Sequence, residues 1–288
     1  MTRILQSLSE VATDYDVLFC DLWGCVHNGI RAYPEAIAAL QAFRQGGGKV
    51  CLLTNAPRPA AQVEASFDRL AIPRDAWDVI VTSGDAAQDA LFAGAVGRRV
   101  WHIGPAKDDA FFDAPAAWAD APAIARVPLD ESEGIVCTGP FDETTDTPED
   151  YRGQLMLARQ HGLKLLCANP DIVVDLGDRR IYCAGAIAEF YQHLGGESLY
   201  FGKPHPPIYD LARRLLNLRE GARILVIGDG IRTDIAGAVG EGLDAVFITG
   251  GLAAEELGAD VENPDPALLR DWLAAVQLDP TFAMGRLR

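Results

Sequence analysis

The chain has 288 residues, of which 49% are hydrophobic and 23% charged, enough apolar material for a substantial core and too much for a mainly disordered polymer. Its 25 Lys and Arg stand against 41 Asp and Glu, a formal charge of −16 that repels nucleic acid and anionic membrane surfaces and directs the expectation to a small-molecule partner. No apolar run approaches the roughly 20 residues that span a bilayer, and the opening "MTRILQSLSEVATDYD" lacks the apolar stretch of a signal peptide, so a cytoplasmic location is expected.

In chain order, "DVLFCD" reads as a strand and "YPEAIAALQAFRQGGGK" as a helix. In that helix Pro34 suits the first turn, Ile37, Leu40 and Phe43 form an apolar stripe, and Gly46 to Gly48 end it. "VCLLTN", "PAAQVEASFDRLA" and "DVIVTSG" continue the alternation. Strands apolar at nearly every position suit a parallel sheet covered on both faces. The rhythm returns in "SLYFGKP", "PIYDLARRLLNL", "ARILVIGDG", "DIAGAVGEGL" and "AVFITGG", which read as the remaining strands and helices of the same sheet. Between them "RRVWHIGP", "GIVCTGP", "TPEDYRGQLMLARQHG" and "LKLLCANPD" form a separate set. The expected organisation is a core of residues 1–84 and 180–288, with a smaller α/β unit inserted at 85–179.

The six cysteines, Cys20, Cys25, Cys51, Cys137, Cys167 and Cys183, lie mostly in strand-like runs without CxxC spacing, and are read as reduced core residues. The late "PDPALLRDWLAAVQLD" reads as an amphipathic helix whose Leu268, Leu269, Trp272 and Leu273 make either core or a subunit contact. A homo-oligomer is thereby left open.

In an open parallel sheet, ligands bind beyond the carboxyl ends of the strands. Four such ends carry polar groups: Asp21 after "VLFC", Thr54 and Asn55 after "VCLL", Lys203 after "YFG", and Asp229 after "LVIG" with Asp234 beyond it. Carboxylates, a lysine and a Thr/Asn pair at one sheet edge are costly to assemble without a ligand, and a divalent cation with a phosphate satisfies them all. Mg²⁺ would take oxygens from Asp21, Asp229 and a backbone carbonyl, and Asp234 would orient its waters. The free oxygen of Asp21 could attack phosphorus, while Lys203 and Thr54 hold the phosphoryl oxygens.

The ordered set "FCDLWG", "LLTN", "FGKP" and "IGDGIRTD" resembles the haloacid dehalogenase superfamily. The inserted unit, with "VTSGDAA" before it and "CANPD" near its end, looks like the α/β cap of the class IIA branch, which includes the NagD-like and p-nitrophenyl-phosphate phosphatases. The resemblance implies a Rossmann-like parallel-sheet core with an inserted C2-type cap. It also implies Mg²⁺-dependent hydrolysis of a small phosphorylated metabolite, such as a sugar, aryl or acyl phosphate, through an aspartyl-phosphate on Asp21. Asp171 in "CANPD" matches positions near the junction of cap and core, where it either contacts substrate or ends a strand.

One residue departs from the pattern. Similar phosphatases carry a second Asp two places after the nucleophile as general acid and base, and here that place is Trp23. Its backbone carbonyl can still bind metal, but proton transfer, worth on the order of 100- to 10,000-fold, is lost. His27 is the nearest substitute donor, against the plainer reading that it is structural. Dehalogenases of the superfamily place an aromatic residue here and displace halide without metal, so a 2-haloacid dehalogenase is the rival reading. A protein that binds a phosphorylated ligand with weak turnover is the other. The retained Asp229 and Asp234 favour the metal-dependent phosphatase.

Overall fold

The computed structural model describes residues 2–176 and 179–288. The chain begins with β1 (Arg3–Ile4), β2 (Val17–Cys20), β3 (Lys49–Thr54) and β4 (Val79–Thr82). It then builds β5 (Arg99–Ile103), β6 (Ala125–Arg126), β7 (Gly134–Cys137), β8 (Lys164–Cys167), β9 (Val173–Leu176), β10 (Arg179–Tyr182) and β11 (Glu197–Tyr200). It closes with β12 (Ile224–Gly228), β13 (Asp244–Ile248) and β14 (Phe282–Met284).

The first and last groups make one seven-stranded sheet in the order β1-β14-β13-β12-β2-β3-β4. The central β12 pairs in parallel with β2 on one side and β13 on the other, with Ile227 opposite Cys20 and Gly228 opposite Phe247. Every residue of β2 and β12 is buried, as expected where helices cover both faces of a parallel sheet. Helix Pro34–Gln45 starts on its proline and buries Leu40 and Phe43. Gly48 leaves no room for a Cβ, which would sit 2.1 Å from the Phe43 ring. The helix Pro266–Val276 starts on Asp265, whose carboxylate accepts the Ala267 and Leu268 N–H groups, the usual first-turn cap. It buries Leu269 and Leu273 and stacks Trp272 on Phe247 at 5.5 Å, while Leu268 is exposed. Three of the four apolar residues expected there therefore pack within this chain.

The second sheet has five strands in the order β11-β8-β7-β5-β6, and β9 and β10 form an antiparallel pair. The placement of β11 corrects the sequence expectation. Glu197 to Tyr200 pair in parallel with Lys164 to Cys167, so "SLYF" extends the inserted sheet and does not return to the first one. The reason lies in the preceding helix Ala184–His193, whose Ala184, Ile187, Ala188 and Tyr191 pack with Ile103, Ile135, Leu155 and Leu165. A crossover helix anchored on that core delivers the next parallel strand to the same sheet. The chain accordingly divides into one compact unit of residues 1–54, 64–81 and 209–288 and another of 55–63 and 82–208. The inserted unit thus runs past residue 179 to Ile208 and takes in Asn55–Val63.

Thr147 caps the short turn Pro148–Tyr151 that leads into helix Arg152–Gln160. All six cysteines are buried thiols. No helix of the described residues is long and apolar enough to cross a membrane.

Phe19 is fully buried in the central strand β2. Phe19→Ala is expected to cost about 3–5 kcal/mol of stability, read as a lower denaturant midpoint at unchanged slope.

Candidate active site

The sheet register fixes the first group of residues. Asp21 follows β2 directly and its N–H donates to the Ile227 carbonyl at 2.8 Å, while Asp229 follows the neighbouring β12. Two adjacent parallel strands therefore end on carboxylates, and Thr54 ends β3 on the other side of β2. Asp21, Thr54, Asp229 and Asp234 are all buried, at 7%, 8%, 4% and 2% exposure, in a fold where charged residues rarely sit inside without function or a partner.

Backbone from two loops encloses the Asp229 carboxylate. A Cβ on Gly24 would lie 2.0 Å from its Oδ2, and one on Gly251 would lie 2.1 Å from the same atom. The Leu252 N–H donates to that oxygen at 3.0 Å. Gly24 also has a φ of 77°, a left-handed conformation that favours glycine. Asp234 is held in the same manner: its Oδ2 accepts from the Gly230 N–H at 3.1 Å and from the Thr233 hydroxyl at 3.4 Å. Gly228 and Gly230 leave the space its side chain occupies.

Cys25 joins this group. One ligand atom each from Asp21, Cys25 and Asp229 lie within 4.8 Å of one another. Burial pushes the Cys25 thiol well above its ordinary range, and the nearby Asp229 and Asp21 charges push it further, so it stays protonated. The donors for a hard cation are thus the two carboxylates and neighbouring carbonyls, which suit an oxygen-seeking divalent ion better than a protonated thiol does. A cation there would also remove the repulsion between two enclosed like charges.

Sequence reasoning named Cys25 only as a core residue, and it did not single out Gly24, Gly251 or the Leu252 N–H. The signal for the last two was present in "FITGG", another strand end of the same sheet.

The loop carrying Trp23 closes on itself. Val26 N–H donates to Leu22 O at 2.8 Å, Gly24 N–H to His27 O at 2.9 Å, and Tyr33 N–H to Val26 O at 2.8 Å. The half-buried indole of Trp23 meets the His27 ring edge-on, with centroids 5.4 Å apart and planes at 76°. Gly29, at φ 82°, lies flat against it, where a Cβ would stand 2.4 Å from Cη2. His27 is buried, and its Nδ1 accepts the Gly29 N–H at 3.0 Å. Burial first, and the Arg69 charge second, lower its pKa to about 4. His27 is therefore neutral at neutral pH, and its burial and its bond to Gly29 support the plainer, structural reading.

The remaining candidates gather in the second unit. The Asn55 amide donates from Nδ2 to Asp171 Oδ1 at 2.8 Å and to the Lys203 carbonyl at 3.0 Å, and its Oδ1 accepts the Lys203 N–H at 2.8 Å. Asp171 N–H in turn donates to Asn169 Oδ1 at 3.0 Å. Asn55 thus ties together the loops after β8 and β11. Lys203 is 2% exposed, and the absence of a Cβ on Gly202 allows Asn55 and Ser83 to come close. Asp171 lies in the segment between β8 and β9, where its carboxylate accepts from Asn55.

A family model described as haloacid dehalogenase-like hydrolase matches residues 18–114, and a second HAD-like hydrolase model matches residues 200–275. A solved hydrolase of the haloacid dehalogenase-like family from Brucella suis 1330 is 41% identical, with a TM-score of 0.84 over 99% of this chain and 100% of that one. The chain belongs to the haloacid dehalogenase-like hydrolase family. This hydrolase is also 25% identical to the 5'-nucleotidase YutF of Bacillus subtilis (strain 168), over 90% of this chain and 98% of the relative. A glycerol phosphate phosphatase from Mycobacterium tuberculosis, solved in complex with calcium, is 25% identical with a TM-score of 0.64, over 84% of this chain and 68% of that one.

Gly251→Ala should push the Asp229 carboxylate aside in an otherwise intact hydrolase. Because a 1 Å misplacement can cost on the order of 100-fold, a loss of about that size is expected in kcat/KM with an unchanged far-UV circular dichroism spectrum. His27 gives a second expectation. With its folded pKa near 4 and an unfolded value of about 6.5, the unfolded chain binds the extra proton between those values. Stability should therefore fall as pH is lowered from about 6.5 to about 4, and His102, lowered to about 4 mainly by burial, acts in the same direction. Denaturant midpoints across this range should fall less steeply for His27→Gln than for the wild type.

Proposed function

We propose that this hydrolase releases phosphate from a small phosphorylated metabolite, with Asp21 as nucleophile and Mg²⁺ as cofactor. The observation that carries the proposal is the pair of buried carboxylates, Asp21 and Asp229, on adjacent strand ends within reach of one cation. Such a pair matches the need to bring a nucleophilic carboxylate to a phosphoryl group that repels it. Mg²⁺ would be held by Asp21, Asp229 and the Trp23 carbonyl, with Asp234 orienting its waters, and when bound would neutralise phosphoryl charge.

The chain's own residues then divide the work. A carboxylate oxygen of Asp21 attacks phosphorus, its new O–P bond forms, and the bond to the leaving oxygen breaks. Thr54 donates a hydroxyl hydrogen bond to the phosphoryl oxygens. Lys203 is the proposed source of positive charge by the family resemblance of "FGKP", and within the second unit Asn55 bonds to its main chain. Water opens the aspartyl-phosphate, which returns Asp21 as a carboxylate and frees phosphate. The enclosed Asp229 and Asp234 favour this course over halide displacement, which has no use for a second pair of acids. Relatives named for a 5'-nucleotidase and a glycerol phosphate phosphatase support a small phosphorylated substrate, and the charge of −16 argues against nucleic acid as the partner.

Asp21→Asn should abolish phosphate release from a panel of nucleoside monophosphates, glycerol phosphates and aryl phosphates in Mg²⁺, with the thermal transition preserved. Release at the wild-type rate would rule out Asp21 as nucleophile.

A further inference from the structure

The side chain two places after Asp21 is an indole, and the fold keeps it in place. Trp23 lies on the flat face of Gly29 and against the edge of His27. Turning it away would require opening a loop closed by the Leu22, Val26 and His27 carbonyls. His27 belongs to the packing of that loop: it is buried, its Nδ1 accepts the Gly29 N–H, and its ring lies against the indole. The other polar side chains that the first unit places at these strand ends are Thr54, Cys25, Asp229, Asp234 and Thr249, whose hydroxyl donates to the Met284 carbonyl at 3.3 Å. Under the reading proposed above, Asp229 and Asp234 serve as ionised oxygen donors and Thr54 holds the phosphoryl group. The Cys25 thiol is 1% exposed and enclosed with the carboxylates. Under that reading the first unit has no carboxylic acid left over to give a proton to an oxygen leaving phosphorus.

We infer that Trp23 makes this site select substrates by their leaving group: it turns over phosphates whose departing oxygen is stable as an anion, namely acyl, enol and aryl phosphates, and is poor toward phosphate esters of simple alcohols. The inference rests on the phosphatase reading of Asp21. In the selective step, the Asp21 oxygen forms its bond to phosphorus as the bond to the leaving oxygen breaks. The leaving group departs with the electron pair as a carboxylate, enolate or phenolate, and no proton moves. An alkoxide would have to leave by the same route, and without an acid its basicity falls fully on the barrier. The retained phosphoryl site and the missing acid are thus two halves of one specificity.

The test is a series of substituted phenyl phosphates, ordered by leaving-group pKa, with glycerol 3-phosphate as the alkyl member and Mg²⁺ throughout. For the wild type, kcat/KM should fall by about 100-fold or more over roughly three units of leaving-group pKa, the range an absent general acid would otherwise cover. Trp23→Asp should flatten that slope and raise the rate on glycerol 3-phosphate, whereas Trp23→Phe should keep the slope. A flat wild-type slope with measurable turnover, or an unchanged slope in a folded Trp23→Asp variant, overturns the inference and leaves the phosphatase reading standing. No release from even the most activated member overturns both. Should Trp23→Asp fail to fold, the wild-type and Trp23→Phe slopes decide.

Discussion

Two carboxylates are pressed together at the ends of neighbouring parallel strands, and much of the first unit follows from accommodating them. Asp21 and Asp229 are placed by a register that sets Cys20 opposite Ile227, one residue before Asp21 and two before Asp229. Ionised groups are expensive to enclose, and the local backbone answers that cost with close-fitting amides and missing side chains. Gly24 and Gly251 admit the Asp229 carboxylate, and the Leu252 N–H bonds to it. Gly228, Gly230 and Thr233 do the same for Asp234. A phosphoryl group with its cation is the chemistry to which such a cluster is suited, because each reduces the cost of enclosing the other.

The loop after Asp21 supplies the contrast. Its indole, imidazole and glycine form a packed unit: Gly29 exists in a left-handed conformation that lets Trp23 lie flat, and His27 is neutralised by the same enclosure that steadies the ring. The residues that hold Trp23 also hold His27 in the same loop.

The inserted unit has its own logic. Its parallel sheet ends in Thr138 after β7, Asn169 and Asp171 after β8, and Lys203 after β11, and Asn55 is the amide that joins the last two loops through both of its polar atoms. That arrangement explains why "SLYFGKP" had to belong with "LKLLCANPD": the lysine is held by a side chain whose other partner is Asp171. The family relationship accounts for the overall plan, and the hydrogen bonds of Asn55 account for the position of the Lys203 loop.

The order of acidic, hydroxyl, lysine and acidic strand ends was legible in the sequence, because parallel strands buried on both faces write near-continuous apolar runs and the residue after each run stands at the sheet's carboxyl edge. The helix start at Pro34 was legible as well, being local. Four things depended on contacts between distant segments. They are the sheet to which Glu197 to Tyr200 belongs, the enclosure of Asp229 by Gly24 and Gly251, the presence of Cys25 beside two carboxylates, and the structural role of His27. A strand's apolar run is the same whichever sheet receives it, and a glycine's spacing does not record which side chain will fill the place of its missing Cβ. The sequence by itself therefore determined which chemical groups stand at the strand ends, since periodicity and capping act within a few residues. Only the tertiary structure decided which of those groups share a charge environment, since burial and register are set by residues hundreds of positions apart.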